Sequence, residues 1–149
     1  MTLIERIQTD LNKFLKDKDK VATSALRLLL SNIHNAQIAK GEVLTDDDVI
    51  GEVTKDAKRH RESIEAYQAA ARADLVGKET KELAVLEKYL PNQLSVDEIK
   101  KIVDYEIKTL GATEIKDMGR VMAHVMANVK GQADGAFVSS IVKEKLATS

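Results

Sequence analysis

The 149-residue chain has no cysteine, no tryptophan, a single proline and few aromatic side chains, 3% of the total. The missing thiols exclude disulfides, thiolate catalysis and cysteine-based zinc sites, and they fit a reducing compartment. So few aromatics argue against a stacking platform for single-stranded nucleic acid. Neither sign of charge dominates: 23 Lys and Arg stand against 24 Asp and Glu, a net charge of −1. A dedicated nucleic-acid binder carries a basic excess, so any basic surface here has to come from local clustering. Residues 93–149 carry 8 basic and 8 acidic side chains, and the preceding residues carry 15 and 16, so neither half departs from balance. Long hydrophobic runs are also missing. The densest apolar cluster, Ala25 to Leu30, is interrupted by Arg27 and is too short to span a bilayer. Met1-Thr2-Leu3-Ile4-Glu5-Arg6 has no apolar stretch of the kind a secretory signal needs. The expectation is a cytoplasmic protein with no membrane partner.

What the chain does have is helical periodicity and helix punctuation. Leu3, Ile7, Leu11 and Phe14 recur at steps of four and three, and Lys16–Lys20 breaks the stripe as an exposed turn. A second helix carries Ala22, Leu26, Leu29, Leu30, Ile33 and Ala36, with Leu28 on its opposite side, and Gly41 stands where a left-handed cap belongs. Thr45-Asp-Asp-Asp48 opens a third helix striped by Val49, Val53, Ala57, His60, Ile64, Tyr67 and Ala71. Asp74 is placed as the cap of a fourth, which turns Leu75, Leu83, Leu86 and Leu90 inward before Pro91. Ser95-Val-Asp-Glu98 is a capping box, and the helix it opens buries Ile99, Ile102, Val103 and Leu110 before Gly111. Asp117 is placed as cap of a sixth helix with Met118, Met122, Val125 and Val129 facing inward, closed by Gly131. Asp134 is placed as cap of a last one that buries Phe137, Val138, Ile141, Val142 and Leu146. The predicted fold class is all-α: an N-terminal four-helix unit over residues 1–92, then a small three-helix C-terminal unit over 93–149. Pro91–Ser95 is the expected break.

Three stretches then carry a resemblance: Tyr89-Leu-Pro-Asn-Gln-Leu-Ser95, Asp117-Met-Gly-Arg-Val-Met122 and Lys130-Gly-Gln-Ala-Asp-Gly135. Together with Arg59-His-Arg-Glu-Ser63 and Arg72-Ala-Asp-Leu75, they make the chain resemble the YqeY family along nearly its full length. That family is similar to the C-terminal tail region of the B subunit of the glutamine-dependent aspartyl/glutamyl-tRNA amidotransferase. The resemblance implies two helical units and a link to tRNA-dependent amide transfer, a carbon–nitrogen ligase reaction with glutamine as amide donor. In the amidotransferase the chemistry belongs to other domains and the tail helps hold the tRNA, so the resemblance implies at most a holding role. The glycine turn of the family usually carries a second basic residue where Gln132 stands here.

Four constellations are candidates for function. Lys55, Lys58, Arg59 and Arg61 form a basic run, with Lys55 and Arg59 opposite the apolar stripe, where they could follow a phosphate backbone. The competing reading is a solvated face laced by Lys58–Glu62 and Arg61–Glu65 pairs, with Glu52 near Lys55. Glu79 and Glu82 share the side of Leu75 and Leu86. They form either an acid–base pair or, as the costs of burial favour, an ion network with Arg27, Arg61 or Arg72. His34, His60 and His124 lack a second histidine at ligand spacing, so no metal site is expected. His60 reads as a satisfied core histidine and the methionines as core filler. Last comes the glycine turn: Gly131 can take positive φ, while Gly135 and, before it, Gly119 either bare helix-start amides for an anion, against the competing Asp134 cap, or allow tight packing.

The leading turns of the last helix, Gly135-Ala-Phe-Val-Ser-Ser140, lack the side chains that read base edges, which argues against sequence-specific DNA binding. The reading that results is a non-catalytic accessory module that holds tRNA or a tRNA-handling protein complex. Its expected contacts are Arg120, Lys130 and Lys143, with Lys55, Lys58 and Arg59 as a second cluster. No catalytic residue and no cofactor are assigned. A protein–protein adaptor without nucleic-acid contact is the alternative. A free-standing amide-transferring enzyme is least supported, since no Gly-rich phosphate loop or Ser/Lys nucleophile arrangement is visible.

Overall fold

The structure, a computed structural model, describes residues 1–129 and 131–147. Among them are seven α-helices, one 3-10 turn and no strand. The chain divides into Met1–Leu90 and Pro91–Ser149, a division that falls after Leu90 rather than after Asn92.

The first unit comprises α1 (Leu3–Lys16), α2 (Lys20–Lys40), α3 (Asp46–Ala69) and α4 (Ala73–Glu87). Punctuation sets their ends. Thr2 with Glu5, and Thr45 with Asp48, form reciprocal capping boxes. Asp19 accepts from the Ala22 amide, and Gly41 closes α2 at φ 79°, a conformation glycine adopts without Cβ strain. The helix α2 packs on α1, α3 and α4, as its wide apolar surface requires. Ile7, Leu26, Leu29, Val49, Val53 and Leu86 are fully buried where the four helices meet. Truncating one of the buried leucines to alanine costs about 2–5 kcal/mol, from the forfeited transfer energy plus a cavity.

Two expectations fail here. Asp74 does not cap α4: Arg72 holds the N-cap position without a side-chain capping hydrogen bond, and Asp74 lies in the first turn, paired with the Arg72 guanidinium at 3.3 Å. The helix starts two residues too early for Asp74 to be its cap. The stripe of α3 also overshoots, since the helix ends at Ala69 and Ala71 turns the chain at φ 56°.

The second unit comprises α5 (Val96–Leu110), a 3-10 turn (Ile115–Asp117), α6 (Met118–Val129) and α7 (Gly135–Ala147). Ser95 and Glu98 cap α5 reciprocally, and Gly111 ends it at φ 65°. Val103, Val121, Val125, Val129, Val138 and Val142 are fully buried in one core, with Met118, Met122 and Met126 packed at its margin. Asp134 caps α7 as expected, accepting from the Ala136 amide at 3.2 Å. Asp117 does not cap α6. It lies inside the 3-10 turn and its carboxylate reaches back to the Thr113 and Glu114 amides, at 3.0 and 3.2 Å. Phe137, expected in the core, is 40% exposed. The buried side of α7 runs through Val138, Ile141, Val142 and Leu146, and Phe137 precedes that stripe by one position. No helix among the described residues is long and apolar enough to cross a membrane.

Candidate functional site

The strongest concentration of polar chemistry in the first unit is buried between α3 and α4. His60 lies on the inward stripe of α3 and is 7% exposed, and Glu82 on α4 is 6% exposed. The His60 Nδ1 meets Glu79 Oε2 at 2.5 Å and Glu82 Oε2 at 3.7 Å. Glu79 and Glu82 are one turn apart on α4, so both carboxylates converge on a single imidazole nitrogen. Burial pushes the Glu82 carboxyl above its ordinary range and the Glu79 charge adds to the rise, while His60 opposes it. One turn before His60, Asp56 is 3% exposed. Its Oδ1 accepts from Asn32 Nδ2 at 2.9 Å and from Arg59 at 3.4 Å. Its Oδ2 is buried with no hydrogen-bond partner among the described residues. Desolvation raises the Asp56 carboxyl, against Asn32 and Arg59. His60, Glu79 and Glu82 each offer a ligand atom, and these atoms lie within 4.8 Å of one another, a set able to hold a metal ion.

The expected network of Glu79 and Glu82 with arginine is therefore replaced by one with histidine. Arg61 turns to Glu87 of α4 at 3.6 Å, Arg72 pairs with Asp74, and Arg27 is exposed with no ion-pair partner among the described residues. The physical reason is depth. The imidazole of a core histidine already occupies the inward side of α3, whereas the three guanidinium groups leave their helices nearer solvent.

On the outward side of α3, Lys55, Lys58 and Arg59 are exposed. Lys55 pairs with Glu52 at 3.3 Å and Arg59 with Asp56 at 3.4 Å, each one turn back. Lys58 makes no ion pair among the described residues.

In the second unit the glycine turn is tied to the Pro91–Ser95 segment. Gln93 Nε2 donates to the Gly131 carbonyl at 2.8 Å, and the Leu94 amide donates to the Gln132 carbonyl at 2.8 Å. The Gln132 side chain donates to the Asn92 carbonyl at 3.3 Å. Gly131 has φ 71°, so glycine is what the turn needs. A Cβ at Gly135 would sit 3.6 Å from Met126 Cε, ordinary contact, and one at Gly119 would meet nothing within 4 Å. Close packing therefore does not demand glycine at either position. Arg120 pairs with Asp117 at 3.5 Å, and Lys143 is exposed without an ion pair among the described residues. Lys130 lies outside the described residues.

The sequence pattern of the Yqey-like proteins matches residues 4–146. The chain belongs to this family. Among its relatives is "Altered inheritance of mitochondria protein 41, mitochondrial" of Pyrenophora tritici-repentis, 32% identical over 95% of this chain and 80% of the relative. The protein of the same name in Saccharomyces cerevisiae is 28% identical over 82% of this chain and 69% of its own length. An uncharacterized protein of Schizosaccharomyces pombe is 33% identical over 54% of the chain and 66% of its own length.

For this Yqey-like chain, the bonds among Asn92, Gln93, Gly131 and Gln132 explain two signature segments by each other: they are the two sides of one hydrogen-bonded turn. What sequence reasoning misses is that His60 gathers Glu79 and Glu82. The signal is present, as a histidine on a buried stripe and two glutamates on the buried side of the next helix. A rule that looks only for a second histidine passes over it.

Proposed function

We propose that this Yqey-like protein is a non-catalytic accessory module of the cytoplasm that holds tRNA, or a protein complex that handles tRNA, through backbone and shape contacts. The reading rests on the similarity of its signature segments to the amidotransferase tail region. The observation that carries it is the outward side of α3, where Lys55, Lys58 and Arg59 stand along about one turn opposite the buried stripe. Arg120 and Lys143 contribute from the second unit, with Lys130 as a further expected contact. Two of the three α3 cations already have a carboxylate one turn away. A phosphate must compete with those partners, so the contact is weak and salt-sensitive.

The adaptor reading is favoured by a separate observation. Ile38 and Val43, on either side of the Gly41 turn, are 67% and 74% exposed, an apolar pair that a protein partner could cover. Charge reversal at Lys58 and Arg59 separates the two. The module reading expects tRNA binding to fall in the Lys58→Glu/Arg59→Glu variant, and the adaptor reading expects the wild type to bind no tRNA at all.

A further inference from the structure

We propose that His60, Glu79 and Glu82 form a binding site for a divalent first-row transition-metal cation of the zinc type, which staples α3 to α4. Three observations converge on it. First is the ligand set. One imidazole nitrogen and two carboxylate oxygens offer the mixed nitrogen and oxygen donors such cations take, and they leave a coordination position for water. Mg²⁺ and Ca²⁺, which prefer all-oxygen shells, are poorly served by a site centred on imidazole.

Second is the geometry. Zinc–ligand bonds of about 2.0–2.2 Å place tetrahedral ligand atoms about 3.4 Å apart. The His60 Nδ1 to Glu82 Oε2 separation of 3.7 Å is already near that edge length. The His60–Glu79 contact of 2.5 Å has to open to that length, by a rotation of a side chain that is not fully buried.

Third is the charge. Two carboxylates converge on one ring nitrogen in a place sheltered from water, and an imidazolium can offset only one of them. A divalent cation offsets both and leaves the imidazole neutral, the form in which histidine ligates. Asp56, one turn earlier on α3, adds another buried carboxylate whose Oδ2 has no partner among the described residues. A negative charge buried one turn from His60 favours a cation nearby.

The site is independent of the proposed tRNA contact, because none of its three ligands belongs to the exposed basic side of α3.

The test is a titration of the chelator-treated full chain with Zn²⁺, and with Mg²⁺ as the control. Stoichiometry is read by calorimetry and coordination by the ¹⁵N shift of the His60 ring. The expected result is a single equivalent of Zn²⁺, a shift at His60 Nδ1, a raised Tm and no comparable response to Mg²⁺. Affinity should fall at least about tenfold in His60→Asn and in Glu82→Gln, and hold in His34→Asn/His124→Asn. Should His60→Asn fold poorly by circular dichroism, Glu79→Gln and the ring shift of the wild type still decide. The proposal is overturned if the wild type takes up no stoichiometric Zn²⁺, if the His60 ring is unmoved at saturation, or if folded ligand variants bind as tightly as the parent.

Discussion

Tyr89 donates its phenolic hydrogen to the Asp10 carboxylate at 2.6 Å, tying the chain just after α4 to the middle of α1. The ring is 6% exposed, with the Arg6 guanidinium 5.1 Å from its centroid. Burial, with the Asp10 hydrogen bond and charge behind it, pushes the phenol above its ordinary value, against the Arg6 guanidinium. Tyr89→Phe keeps the packing and removes the donor, leaving Asp10 short of a partner. It should lower the stability of the first unit by about 1.5–3 kcal/mol, the range for hydrogen bonds to charged groups. Urea unfolding of the two proteins measures it, and an unchanged midpoint would mean that water replaces the phenol at no cost.

The histidine cluster predicts an asymmetry. Removing His60 leaves two carboxylates facing each other without the ring nitrogen that both approach, whereas removing the Glu82 charge leaves His60 bonded to Glu79. His60→Ala should therefore destabilise by about 3 kcal/mol or more, while Glu82→Gln stays within about 1 kcal/mol. The double variant should be destabilised by less than the sum, since Glu82→Gln relieves the repulsion that His60→Ala exposes. Melts of the chelator-treated proteins check this. Equal destabilisation by both single variants would contradict the placement of His60 between the carboxylates.

Asp117 gives a pH dependence. The Thr113 and Glu114 amides hold its carboxyl below the ordinary value of 3.8, with Arg120 and Lys116 helping. A carboxyl with a depressed folded-state pKa contributes stability that is complete above its unfolded value and disappears as pH falls through the folded one. Asp117→Asn keeps an accepting oxygen but no charge. The stability difference between wild type and variant should be constant near neutrality and shrink as pH drops below about 4. A difference that does not change with pH would assign the effect to shape alone.

Much of the fold is legible locally, because the features that delimit the helices act within a few residues of themselves. Ser95 and Glu98, Thr45 and Asp48, and the glycines at 41 and 111 each satisfy helix-end groups within one turn. Asp74 and Asp117 defeat such local reasoning, because an aspartate ahead of an apolar stripe serves equally as cap or as first-turn acid, and only the backbone decides. Phe137 shows the same limit for burial, since a large apolar side chain one position off the stripe faces outward. The site is less legible for a different reason. His60 and Glu79 are 19 positions apart, and Tyr89 and Asp10 are 79 apart. Spacing rules for one helix are blind to such pairs.

If this Yqey-like chain holds tRNA electrostatically, the slope of binding against salt shows it most directly. Titrating tRNA binding from low to physiological salt should give a dissociation constant on the order of micromolar at best that weakens steeply as salt rises. Lys58→Glu/Arg59→Glu should weaken binding and flatten the logarithmic slope by about one for each phosphate no longer neutralised, and Lys130→Glu should do so independently. An unchanged slope in both variants, or no binding at low salt, would contradict the account and leave the adaptor reading in its place.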